Sequence, residues 1–150
     1  MLKMDRIYQQ ILHELERDGR IPNTQLAEKV GLSASACLRR VQEMEKAGVI
    51  QGYRAVLNPE AMGRGFVAYV TVGLEEHSKA AQEAFEKTVE TFPEVRECHN
   101  VTGISEYLLR VETANLPAYK EFHTERLGTA PGVRKLMTHV VMDTPKDLRT

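Results

Sequence analysis

The 150-residue sequence predicts an α+β chain: an N-terminal (winged) helix-turn-helix followed by a C-terminal βαββαβ domain of ferredoxin-like arrangement. Three observations carry this. The first third repeats apolar residues at helical spacing, punctuated by single glycines. Beyond residue 65, β-rich runs and helical stripes follow one another in the order strand, helix, strand, strand, helix, strand. The two regimes meet at an Asn58-Pro59 break, which divides the chain into residues 1–60 and 61–150.

Ile7, Ile11, Leu12 and Leu15 form one stripe behind Asp5, a natural N-cap, and Gly19 ends that helix. A short second helix opens at Pro22-Asn23, turns Leu26, Ala27 and Val30 inward, and closes at Gly31. Ser33 caps a third, which runs through Cys37, Leu38, Val41 and Met44 to Gly48. Two helices around so short a glycine turn are the mark of a helix-turn-helix. The following VIQGYRAVLNPE is extended and is expected to form a linker strand. In the second part, 66–74, 95–103, 106–113 and 133–143 read as strands. Stretches 80–92 and 115–127 read as single helices. Helices would cover one face of such a sheet. Val67 and Tyr69 point to the other face, and a second copy of the chain is the expected cover.

Hydrophobic residues at 42% and charged residues at 27% describe a chain that folds and stays in water, with no run of the roughly 20 apolar residues that a membrane helix needs. The start offers no signal-peptide core, so a cytoplasmic protein with reduced cysteines is expected. A net charge of −1 excludes a basic tail but not a local basic patch. Residues 1–60 hold nine Lys/Arg against eight Asp/Glu, and residues 61–150 hold eleven against thirteen, so any anion-facing surface is expected in the first part.

The third helix carries that surface. At 100° per residue with Cys37 inward, Val41 and Met44 are core, while Ser35, Arg39, Gln42 and Lys46 face out, flanked by Ala36, Glu43 and Arg40. Arg39 suits a guanine edge, Gln42 an adenine edge and Ala36 a thymine methyl. Ser33, Ser35, Arg40 and Lys46 suit phosphates of double-stranded DNA. On an isolated helix such residues would merely be solvated; at helix-turn-helix spacing they make a reading face.

Residues 26–59 closely resemble the DNA-binding domain of the Lrp/AsnC (leucine-responsive, feast/famine) transcription factors. The likeness lies in Gly31-Leu32-Ser33, Cys37-Leu38-Arg39-Arg40-Val41 and the linker residues Ile50, Gly52, Tyr53, Ala55, Asn58 and Pro59. Residues 98–111 and 131–143 resemble that family's ligand-binding and assembly domain. The resemblance implies a homodimer that assembles further, to tetramer or octamer, and a small amino-acid-type effector. The implied pocket is built on the turn Thr102, Gly103, Ile104, Ser105, Glu106 and Tyr107, with Thr138 as a further lining residue. Loop N–H groups at Gly103 would take a carboxylate and Glu106 an ammonium group. Ile104 stands where the family usually has an acid, which keeps open an effector-independent, architectural DNA-binding protein.

No metal, cofactor or enzymatic site is expected. Cys98 and His99 are strand neighbours that point to opposite faces, no other histidine has ligand spacing, and no nucleophile–base–orienter set is visible. Gly63-Arg64-Gly65 precedes a strand instead of opening a helix, so it reads as an entry to the second domain.

Overall fold

A computed structural model describes residues 2–149, which form two compact units divided between Ala55 and Val56. The division falls a few residues ahead of Pro59, because the turn at 59–63 packs with the second unit.

The first unit holds α1 (Arg6–Arg17), α2 (Asn23–Val30) and α3 (Ala34–Lys46). Asp5 caps α1 by accepting from the Tyr8 N–H, and Ser33 caps α3 by accepting from that of Ala36. Pro22 precedes α2 with no side-chain cap, and Gly31 closes it at φ 71°, a left-handed backbone that glycine adopts without strain. Tyr8, Ile11, Leu26, Ala27, Val30, Cys37, Val41 and Met44 form the core. Leu38 is 46% exposed: at 100° from Cys37 it falls beside the outward face. Among the described residues no strand forms in this unit. Residues 51–58 are exposed and join no ladder, so the linker strand and the wing are absent as β-structure. An extended segment becomes a strand only when a ladder partner takes its backbone groups.

The second unit is a four-stranded antiparallel sheet of β1 (Phe66–Leu74), β2 (Val95–Asn100), β3 (Tyr107–Thr113) and β4 (Val133–Val140), in the order β2-β3-β1-β4. α4 (Lys79–Glu90) and α5 (Leu116–Glu121) lie in the connections that make this βαββαβ. Ala68, Val70, Val72 and Leu74 alternate inward from β1 and pack with Phe85 and Val89 of α4 and with Tyr107, Leu109 and Val111 of β3. Each large apolar side chain buried in this way contributes about 1.5–3 kcal/mol.

β2 and β4 stop three residues short of their expected ends. The single helix expected over 115–127 is instead α5 followed by a π-helical segment, Phe122–Leu127. There the Gly128 N–H donates to the His123 carbonyl, and the wider turn seats both Phe122 and Leu127 in the core. The far face of the sheet is partly covered by the chain itself. Residues 143–149 run beside Tyr69 and Arg110, and Arg149 donates to Glu97 at 3.3 Å. Met137 on the same face remains 46% exposed. Among the described residues no helix is long and apolar enough to cross a membrane, and no group of three or more His, Cys, Asp or Glu side chains is placed to hold a metal.

Candidate DNA-reading helix and effector turn

α3 owes its place to its ends and its inner stripe. Ser33 starts it, Gly48 at φ 73° stops it, and Cys37, Val41 and Met44 anchor it. Ser33, Ser35, Arg39, Gln42 and Lys46 are all exposed, and Ala36 is half-buried beside them. Ser35, Arg39, Gln42 and Lys46 thus form one outward strip along the helix, as the angular reading expects.

Arg40 departs from that reading. Its Nη1 lies 2.6 Å from the Asp5 carboxylate and its guanidinium stands 4.6 Å over the Tyr8 ring, so it is spent tying α3 to the start of α1. That hydrogen bond holds the Asp5 carboxyl below its usual range. Tyr8 in turn donates to Glu43 Oε2, while Glu43 Oε1 accepts from Arg39 Nη1 at 2.7 Å. The Tyr8 hydroxyl keeps the Glu43 carboxyl low, and the carboxylate raises the tyrosine. Reading the sequence found Asp5 as a cap but missed its tie to Arg40, and missed Tyr8 altogether, because both partners lie 35 residues away and carry no local signal.

The turn between β2 and β3 projects from the sheet. Thr102, Gly103 and Ile104 are exposed, Ile104 at 96%, and Gly103 sits at φ 122°, which excludes other side chains without strain. Ser105 is half-buried. Glu106 has a different task from the one expected. Its Oε2 accepts from the Leu74 N–H at 2.7 Å and its Oε1 lies 2.7 Å from His77 Nδ1, so it clamps the end of β1. The Leu74 N–H chiefly accounts for its depressed pKa. Tyr107 points into the core and donates to Glu86 at 2.6 Å, and Thr138 is hydrogen-bonded to the Tyr119 hydroxyl on the helix-covered face. Within one chain the turn therefore brings together only Thr102, Gly103, Ile104 and Ser105.

Two further features lie outside the α3 face and the turn. Cys98 faces the α4 side in register with Leu109, where partial desolvation and the Glu86 carboxylate push its thiol up to about 11. A thiol held neutral in this way is a poor nucleophile. His99 points the other way, to Glu97 at 3.2 Å. Glu112, buried in β3, is surrounded by Arg64, Arg96 and Arg110 at 3.7, 3.8 and 3.2 Å, a charge cluster that no local sequence pattern announces.

Comparison with known proteins agrees with this architecture. Residues 4–51 match a family model described as winged helix-turn-helix DNA-binding, and residues 67–150 match one described as the Lrp/AsnC ligand binding domain. The chain is 43% identical to a leucine-responsive regulatory protein of Rhizobium meliloti, covering 97% of this chain and 94% of that protein. It is 40% identical to the leucine-responsive regulatory protein of Escherichia coli, covering 95% and 87%. The fold superimposes on a transcriptional regulator of Neisseria meningitidis in complex with L-Met with a TM-score of 0.92, at 34% identity and covering 97% of this chain and 94% of that one. It also superimposes on an AsnC-family transcriptional regulator of Agrobacterium tumefaciens with a TM-score of 0.88, at 33% identity, covering 96% and 94%. With an exposed polar strip on its third helix, a glycine turn at the sheet edge and both halves matched along nearly the whole chain, this protein belongs to the Lrp/AsnC family of DNA-binding transcriptional regulators.

Proposed function

We propose that the protein is a sequence-specific regulator whose assembly on DNA responds to a small amino-acid effector. The observation that carries the first half is the strip Ser35-Arg39-Gln42-Lys46 on α3. All four side chains are exposed on a helix that its Ser33 cap and inner stripe hold firmly. In this reading Arg39 and Gln42 take base edges, Ala36 takes a thymine methyl, and Ser33, Ser35 and Lys46 take phosphates. Arg39→Ala should cost about 1–3 kcal/mol more on a selected site than on scrambled DNA, as read by competition binding. Equal losses on both would assign Arg39 to the backbone.

The effector half is supported by the family's ligand-binding domain and by the relative crystallised with L-Met. The turn N–H groups from Thr102 to Ser105 are the proposed carboxylate cradle. With Glu106 engaged at Leu74 and His77, and Thr138 at Tyr119, a second chain must supply much of the remaining pocket. Effector then favours the assembly in which chains meet at that turn, and more reading helices engage DNA together.

A second reading is favoured by Ile104 itself. An apolar side chain 96% exposed at the tip suits a dry contact between subunits, in which the turn holds an architectural assembly with no effector. A thermal-shift screen separates the two. A ligand confined to the native state raises stability by about 2.7 kcal/mol at a hundredfold excess over Kd, whereas the architectural protein shifts with none of the amino acids.

A further inference from the structure

We propose that Tyr8, on α1, is a positioning residue for DNA reading: acting through Glu43, it holds the Arg39 guanidinium in the orientation from which that arginine meets a base. The proposal rests on the base-reading role given to Arg39 above. An exposed arginine spends nearly all its rotamer freedom when it docks on a base edge, and whatever orders it beforehand lowers that cost. Arg39 is 64% exposed and one turn from Glu43, whose Oε1 accepts from its Nη1 at 2.7 Å. Alone, such a surface pair is a weak hold, because both side chains swing.

Here the carboxylate does not swing. Its Oε2 accepts from the hydroxyl of Tyr8, a side chain only 7% exposed. The Tyr8 ring is pinned beneath Arg40, Arg40 is tied to Asp5, and Asp5 caps the helix that carries Tyr8 by accepting from its N–H at 2.9 Å. The chain Asp5–Arg40–Tyr8–Glu43–Arg39 therefore runs from the capped start of α1, through the buried Tyr8 ring, to the outward face of α3. Glu43 takes one Nη1 proton of Arg39 and leaves Nη2 and Nε as donors for a bidentate contact with guanine. Packing explains the ring of Tyr8 but not its hydroxyl, since a phenylalanine would fill the same space. The hydroxyl stays protonated, and so a donor, because the neighbouring carboxylate raises its pKa.

The test uses the full chain, a duplex that the protein selects from a random pool, single-base variants of that duplex, and a scrambled duplex. Tyr8→Phe, which changes no charge, should lower the ratio of selected to scrambled affinity by about three- to tenfold, with the salt slope and the scrambled affinity unchanged. Placed on Arg39→Ala, the same change should have no further effect on the ratio. Glu43→Gln, at a half-buried position, provides a second variant. It should lower the ratio similarly while tightening all DNA binding through the lost negative charge. An unchanged ratio in Tyr8→Phe overturns the proposal, as does an effect that persists undiminished in the Arg39→Ala background. If Arg39→Ala itself leaves the ratio intact, the base-reading role fails first and the positioning role falls with it.

Discussion

At the scale of single residues, two carboxylates show how much local chemistry decides. Glu106 accepts from the Leu74 N–H and faces His77, and its pKa lies below the ordinary value. A group depressed in this way stabilises the fold at pH above its unfolded pKa, about 4.3, and loses that contribution as pH falls through the lower folded value. Glu106→Gln should therefore lower the melting temperature at neutral pH and flatten its decline below about pH 4, as followed by circular dichroism. Ser33 makes a simpler case. Ser33→Ala removes the acceptor for the Ala36 N–H and should cost about 1 kcal/mol in urea unfolding. Reading residues from helical angles located Arg39, Gln42 and Lys46, since exposure on one helix follows from sequence order. It did not foresee the partners of Arg40 and Glu106, because each lies far along the chain or on another element.

Among elements, α2 is the least well finished. Pro22 precedes it with no side-chain cap, and its backbone at φ −60° and ψ 142° suits serine equally well. Pro22→Ser should add up to about 1 kcal/mol of stability, less what the lost proline rigidity returns to the unfolded chain. An unaltered unfolding midpoint would mean that the two effects cancel. Most elements were legible in the sequence, β1 over its whole length and α3 by its cap and glycine stop. The failures share a cause. The linker lacks a strand because pairing needs a partner, and the π-helical segment exists because Phe122 and Leu127 must reach one core. Neither requirement is visible along a single segment.

For the whole molecule, the two units carry separate cores and separate tasks. Leu109→Ala in the second core should cost about 2–5 kcal/mol by leaving a cavity between the sheet and its helices, with the destabilisation read by calorimetry. Assembly is where effector and DNA are proposed to meet. Light scattering with and without L-leucine or L-methionine should show a change of oligomer if the Gly103 turn is an effector site, and the change should vanish in Gly103→Thr. The Thr side chain is strained at φ 122° wherever the turn sits. A constant oligomer that still bends DNA would leave the architectural reading standing.

Periodicity, caps and glycine stops by themselves determined the order of the elements, the helix-turn-helix and the exposed polar strip of α3, because each depends on residues within a turn or two of one another. Tertiary structure alone decided which charged side chains remain free to act. Arg40, Glu106 and Thr138 are engaged by Asp5, by Leu74 with His77, and by Tyr119, and Tyr107 is drawn into the core. A polar group's availability is set by whichever partner the fold brings within about 3 Å, and chain order does not contain that information.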